Sequence, residues 1–282
     1  MPLFNVAPPA LPTAPIEYDQ RQQDQFAYVL RLYFNRLNAA LSGLSGNTGG
    51  AYLKFPNGAF HQDGYTTLST SIPNGTSTSN IVVASTTGFL SAGTLLIGDE
   101  LISYTGKTAT TFTGITRSQY SSSGSGHTAG VYVAEAQAVP SSTTALVVKF
   151  TVTDVSNEVE IDPLDETKVV HNVAGYYNIQ FSIQMLTEDG ADNVSLWFRK
   201  NGTDVDFSAG VATVPSTHGG KPGTAIISWN LVLPLNAGDY IQLCMSSETG
   251  NTVAATYPPG TSPTRPASPS IILTSTFVSA LY

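Results

Sequence analysis

Hydrophobic positions repeat at helical spacing over one long stretch of the chain, residues 17–44. The apolar side chains follow one another at alternating steps of four and three: Phe26, Leu30, Tyr33, Leu37, Ala40 and Leu44. This 3.5-residue repeat keeps one stripe of a helix facing a partner helix. The predicted seam, for oligomerisation or anchoring, consists of Phe26, Leu30, Tyr33, Leu37 and Leu44. A lone amphipathic helix packed on its own chain's sheet fits the short repeat equally well.

The residues flanking this stretch predict where the helix begins and ends. Asp19 or Glu17 is expected in the first turn, where an acidic group interacts favourably with the helix dipole. Gly43 and Gly46 are expected to stop the helix. Upstream lies a proline-rich segment, which we expect to form an extended anchor arm.

Beyond the helix the pattern becomes that of strands and turns. Apolar residues alternate strictly over 178–185, as on a half-buried strand. Gly98-Asp99 and Asn201-Gly202 predict tight hairpin turns. Further strands are predicted at 80–84, 94–97, 100–104, 111–115, 131–133, 146–152, 169–171, 194–200, 224–233, 240–245 and 270–281. The predicted fold class is mainly β, with an N-terminal amphipathic helix, a small β-module and a C-terminal β-sandwich of the jelly-roll type.

The same pattern divides the chain into five segments. They are an extended arm at 1–16, the helix and a Gly-rich connector at 17–50, the small β-module at 51–135, a linker at 136–144 and the jelly-roll head at 145–282.

Composition narrows the class of protein. Charged residues make up 11% of the chain, against roughly 25% in a typical domain. The net charge is −8, and phosphate contacts need Lys and Arg, so nucleic acid is not an expected partner. The single cysteine, Cys244, lies in an apolar run and is expected to be a buried thiol.

Targeting signals are not expected in this sequence. The first residues lack the cationic start and apolar run of a signal peptide. No stretch approaches the roughly 20 apolar residues of a membrane span, so membrane insertion is not expected. An uncharged, Ser- and Thr-rich composition is typical of exposed proteins. A virion protein, made in the host cytoplasm and released with the particle, reconciles these features.

Residues 81–117 carry a first resemblance. The run IVVASTTGFLSAGTLLIGDELISYTGKTATTFTGITR resembles a small β-module of bacteriophage tail and fibre proteins, in which a strand, a hairpin and a further strand recur. The resemblance implies a virion context and no particular chemistry.

Residues 145–282 carry a second resemblance. The phrases AGYYNIQFSIQ, LWFRKNGTDV, LPLNAGDYIQL and STFVSALY occur in that order. They resemble the globular head of the complement and tumour-necrosis-factor superfamily. The resemblance implies a ten-stranded jelly roll and a tight trimer. The candidate residues for its apolar interface are Tyr177, Phe181, Phe277 and Tyr282, although alternate strand positions must also fill the core of a single chain.

Residues with catalytic or metal-binding potential are sparse. The four histidines show no metal-ligand spacing, and His127 and His218 are expected on solvated loops. Acidic residues at 162–166 suit either a Ca²⁺ loop or a solvated turn. Glu158 with Glu160, or Asp204 with Asp206, could be read as paired glycosidase carboxylates, but sugar-binding aromatic residues do not accompany them. We therefore predict no catalytic residues, cofactor or metal.

The predicted function is structural. We expect a homotrimeric fibre or spike of a tailed bacteriophage, attached to other virion proteins through its N-terminal arm. Its head is expected to bind a host-surface glycan or protein. A capsid decoration or head-fibre protein, and a polysaccharide-degrading tailspike, are the alternatives.

Overall fold

The computed structural model describes residues 9–11, 17, 19–45, 55–139, 144–261 and 263–281, and for residues 39–45 it describes the backbone only. The protein is mainly β, with 53% of its residues in strands and 8% in helix. Two compact units divide the chain, Met1–Phe55 and Pro56–Tyr282. Most of the predicted arm and connector, and residues 140–143 of the predicted linker, lie outside the described residues.

The first unit contains helix α1, Gln20–Ser45. Asp19 caps it from outside the first turn, since its carboxylate accepts a hydrogen bond from the Arg21 amide at 2.9 Å. The prediction that Gly43 stops the helix is wrong, because α1 continues to Ser45. Gly46 lies outside the described residues.

The second unit is built from antiparallel strands. Those of its first part are β1 (Asn57–Gln62), β2 (Tyr65–Thr67), β3 (Ile81–Val82), β4 (Gly93–Ile97), β5 (Glu100–Tyr104), β6 (Gly106–Lys107), β7 (Thr111–Thr113) and β8 (Tyr132–Ala138). Those that follow are β9 (Leu146–Val147), β10 (Val152–Asn157), β11 (Val159–Asp162), β12 (Asp165–His171), β13 (Gly175–Thr187), β14 (Asp192–Lys200), β15 (Thr203–Asp204), β16 (Gly210–Val214), β17 (Gly223–Leu235), β18 (Asp239–Ser247), β19 (Thr252–Ala255), β20 (Gly260–Thr261), β21 (Thr264–Arg265) and β22 (Ile271–Ser279).

Two of the sheets form a sandwich, which we call the head. The front sheet has the strand order β10-β1-β22-β13-β17, and the back sheet has the order β11-β12-β18-β14 with β16 beside β14. Eight of these strands, numbered from one to eight in chain order, are β1, β12, β13, β14, β16, β17, β18 and β22. In this numbering the strand order of the front sheet is 1-8-3-6, and the strand order of the back sheet is 2-7-4-5. This order of two interlocked Greek keys is that of a jelly roll.

The hydrophobic core of the head lies between these sheets. It is formed by side chains at alternate, inward-facing positions of the strands, among them Phe60, Tyr177, Ile179, Phe181, Leu196, Phe198, Leu243 and Leu273. Aromatic edges pack inside it, with the rings of Phe181 and Phe198 5.6 Å apart. The alternation predicted for 178–185 is confirmed, because the odd-numbered positions of that stretch are buried and the even-numbered ones are not.

The remaining early strands form the module. Its core contains Leu68, Ile81, Leu95, Ile102, Phe112 and Val133. The predicted hairpin across Gly98-Asp99 is confirmed, since β4 pairs with β5 from Ile97↔Glu100 onward. The module continues the front sheet, because β8 pairs with β19 and β19 pairs with the last residues of β13.

Strand β1 has an unexpected place. Residues 51–135 are predicted to form the module, yet β1 lies in the head between β10 and β22. The chain enters the head where the Phe277 amide bonds the Pro56 carbonyl, level with Tyr177 on β13. The module joins at Met185 on the same strand. At roughly 3.3 Å per residue these two levels are about 26 Å apart, so the module leaves the head at the end of β13 opposite to the level of Pro56.

The predicted turn at Asn201-Gly202 is also confirmed. Both residues have positive φ, 49° and 81°, as a type I′ hairpin requires. Replacing Gly202 by alanine should lower the free energy of unfolding by about 1 kcal/mol, because a side chain is strained in this region. Urea denaturation of the variant beside a Gly190→Ala control tests this. Gly190 has open space around its Cβ position and no positive φ, so equal losses in the two variants would contradict it.

Candidate functional site

The predicted helix seam is accessible on α1. Leu30, Tyr33 and Leu37 are half-buried, and Phe26 is exposed. Among the described helix side chains, residues 20–38, none is fully buried. The side chain of Leu44 lies outside the described residues. The apolar stripe is therefore available for packing.

The four residues predicted for the head interface do not share one environment. Tyr177 and Phe181 are buried in the chain's own core, and Phe277 is half-buried against them. The Tyr177 hydroxyl donates to the Val173 carbonyl at 2.7 Å. Tyr282 lies outside the described residues. Tyr177 and Phe181 occupy inward positions of β13 and are not available to a second copy.

The opposite, outward side of β13, β17 and β22 is a different kind of surface, which we call the outer face. Exposed apolar side chains on it are Tyr176, Ile226, Val232, Ile272 and Val278. Between them lie amide and hydroxyl side chains: Asn178, Gln180, Ser182, Gln184, Ser228, Asn230, Thr274 and Thr276. These positions include no charged residue, so the outer face is uncharged over three adjacent strands.

The back sheet differs in charge. Its strands carry three ion pairs: Lys168–Asp165 at 3.1 Å, Arg199–Asp204 at 2.8 Å and Lys200–Asp239 at 2.8 Å. The outward side of the front sheet also carries charge, but at β1 and β10, where His61 lies 2.8 Å from Asp154 and 3.3 Å from Asp63. The absence of charge is therefore specific to the outer face of β13, β17 and β22. Charge depletion of this kind is typical of the centre of a protein–protein interface.

Strand β17 extends the outer face to the edge of its sheet. It is 13 residues long, and its sequence GTAIISWNLVLPL contains no charge. Among the described strands it pairs only with β13. Exposed edge strands are usually protected by charges, prolines or covering segments. Only Pro234 interrupts β17, so this edge is suited to being covered by another chain.

A buried ion cluster organises one end of the module. The carboxylate of Glu100 accepts from Arg117 Nε and Nη2, each at 2.6 Å, and lies 2.7 Å from His127 Nε2. All three residues are buried. These hydrogen bonds hold the pKa of Glu100 below its usual value although burial, the largest single influence, raises it. The expectation that His127 lies on a solvated loop is wrong, because His127 is buried and its Nε2 is paired with the Glu100 carboxylate.

A second buried acid, Glu135 on β8, lies among residues of the module. Its carboxylate Oε2 is 2.7 Å from the Tyr104 hydroxyl, and that hydroxyl donates to the Leu90 carbonyl at 2.9 Å. Burial raises the pKa of Glu135 to about 8. Oε2 also accepts a hydrogen bond from the Leu90 amide at 3.3 Å. The bonds from Tyr104 and Leu90 lower the pKa of Glu135, but the effect of burial is larger.

Three of the remaining acidic candidates, Asp162, Asp165 and Asp204, have structural partners. Asp162 accepts from the Leu164 amide at 2.9 Å, and Asp165 accepts from Thr167. Asp204 accepts from Trp197 Nε1 and Arg199 Nε, and these bonds lower its pKa. Within the described ranges, no group of three or more His, Cys, Asp or Glu residues is arranged to hold a metal ion. Cys244 is buried, and burial raises the pKa of its thiol to about 11.

Comparison with known proteins gives no family. No protein-family model and no curated protein matches the sequence. In the part of the chain that the structure describes, no helix is long and apolar enough to cross a membrane. The functional assignment therefore rests on the fold and the surfaces described above.

Proposed function

We propose that this protein is a structural virion protein of a tailed bacteriophage: a homotrimeric fibre or spike that adheres to the host surface. The N-terminal arm and helix α1 attach it to other virion proteins, and the β-rich unit faces outward. The observation that carries the proposal is the uncharged outer face of β13, β17 and β22.

A second copy of this chain is the occupant that best fits the outer face. The chain carries a net charge of −8, so copies repel one another wherever acidic surfaces meet. The outer face offers an approach without that repulsion. Its exposed isoleucine and valine side chains would be removed from water, and its amides and hydroxyls would pair across the contact. The resemblance of the head to the complement and tumour-necrosis-factor superfamily implies three copies.

Three copies also suit the proposed adhesion. Each copy presents one contact site, and weak sites that are linked bind with a greatly increased effective concentration. The stripe on α1 would hold the three N-terminal segments together at the attachment point.

The trimer is tested by adding one charge to the outer face. Ser182 and Ser195 lie at the middle of β13 and β14, each half-buried on the outward side of its own sheet. Ser182→Glu should convert the trimer to monomers, because three added carboxylates would be buried without partners. Ser195→Glu, the matched change on the back sheet, should leave the trimer intact. Sedimentation velocity measures both.

Two results would contradict the proposal. One is a monomeric wild-type chain. The other is a Ser182→Glu variant as trimeric as the Ser195→Glu control. Electron microscopy of intact particles labelled on this protein separates tail attachment from a capsid decoration protein.

A further inference from the structure

Two tyrosines form an exposed aromatic corner on the module. Tyr65 on β2 and Tyr132 on β8 are each 40% exposed. Their ring centroids are 6.2 Å apart and their planes meet at 70°. Paired registers place Tyr65 opposite Ala134 and Tyr132 opposite Thr67, so the two rings are diagonal neighbours on one side of the sheet.

The hydroxyl groups of this corner are open to a ligand. Within the described residues, neither tyrosine hydroxyl has a hydrogen-bond partner in the protein, and the partly exposed Thr67 hydroxyl lies beside Tyr132 on the same side. Two aromatic faces with hydroxyl groups at their rims combine apolar contact with hydrogen bonding. A sugar ring presents the matching pattern, with C–H groups on its face and hydroxyls around its edge.

The charged residues of the module indicate which class of sugar can bind at this corner. Between Gly64 and Ala134 the sequence contains four charged residues: Asp99, Glu100, Lys107 and Arg117. Glu100 and Arg117 neutralise each other in the interior. The Lys107 ammonium donates to the Thr86 and Phe89 carbonyls. An anionic ligand would therefore find no uncommitted cation on the module.

The position of the module agrees with a role in contact. It joins the head about 26 Å along β13 from the level of Pro56, where the chain enters the head. If the protein is anchored through the residues before Pro56, as proposed above, the chain reaches strand β1 of the head before it reaches the module. The module then does not separate the anchor from the head.

We propose that the Tyr65–Tyr132 corner binds a neutral oligosaccharide of the host surface, and that the module provides the adhesive contact. This inference rests on the proposed function, since it names the partner of the adhesion. The sugar ring stacks on one tyrosine and touches the edge of the other, and its hydroxyls bond to the tyrosine hydroxyls and Thr67.

An array of neutral and acidic oligosaccharides, probed with the full-length chain, tests this site. We expect binding to at least one neutral oligosaccharide. Tyr65→Ala and Tyr132→Ala should each weaken it roughly tenfold, because each removes one aromatic contact. The Phe variants at both positions should lose less, since they keep the ring. Phe207→Ala, which removes a fully exposed aromatic side chain of the head, should bind like the wild type.

Three outcomes would overturn the inference: binding to acidic oligosaccharides alone, no binding to any oligosaccharide, or binding that both alanine variants retain. Sedimentation of the same samples distinguishes this failure from that of the proposed function. A wild-type trimer that attaches to particles but ignores neutral sugars would refute the site and leave the virion role standing. A trimer that dissociates in the tyrosine variants would assign the corner to contact between copies and also refute it.

Discussion

Replacing Arg117 by methionine should lower the free energy of unfolding by about 3–5 kcal/mol. The side chains of Arg117 and Glu100 are almost completely excluded from solvent, and two N–H···O contacts of 2.6 Å join them. Removing the guanidinium leaves a buried carboxylate whose remaining partners are His127 and two backbone amides. Breaking a buried pair is costly because the remaining charge has lost its compensation.

Two further variants make this expectation specific. Arg199→Met removes an exposed pair, whose Asp204 side chain is 61% exposed, and should cost less than about 1 kcal/mol. Adding Glu100→Gln to Arg117→Met removes the orphaned charge and should recover a large part of the loss. Urea unfolding followed by far-ultraviolet circular dichroism measures all three. Equal losses in Arg117→Met and Arg199→Met would show that the buried pair has no special role.

Replacing Glu135 by glutamine should raise stability increasingly as the pH rises from about 5 to 8. Folding raises the pKa of Glu135 to about 8 from an ordinary value of 4.5. Between these values the folded protein holds a proton that the unfolded chain has released. The free energy of unfolding of the wild type therefore falls by about 1.4 kcal/mol for each pH unit within this range. At acidic pH the contribution of Glu135 to that free energy is fully retained.

The difference between variant and wild type isolates this one group. Glutamine is neutral and has nearly the same shape, so it keeps a hydrogen bond to Tyr104 without the titration. Glu188, whose pKa burial raises to about 7, titrates in both proteins and cancels in the difference. Glu248→Gln, at an exposed acid, is the matched control. A variant that follows the wild-type pH profile in parallel would show that Glu135 does not titrate in this window.

The local pattern of residues predicted much of the head. Alternation over 178–185 specified the buried side of β13, since side chains of a strand point to opposite faces. Asn201-Gly202 specified a hairpin, because few other pairs accept positive φ at both positions. These features depend on neighbours in sequence, and the sequence contains that information directly.

Features that depend on distant pairing were not predictable in the same way. Nothing near residues 57–62 indicates that β1 inserts between β10 and β22. The burial of His127 follows from Glu100, 27 residues away, and no local signal links the two. For the head interface, aromatic residues suggested Tyr177 and Phe181, yet one step of the alternation separates these core positions from the outer face. Uncharged Asn, Gln, Ser and Thr at alternate positions were the signal for that face.

The insertion of β1 sets the order in which the molecule can be completed during synthesis. Gln62 and Ser270 bond side chain to side chain although 208 residues separate them. The ribosome must therefore release nearly the whole polypeptide before the front sheet closes. Until then β1 and β13 have unpaired edges, and loops of this length close slowly. Such a chain can complete its front sheet only after β22 has been translated.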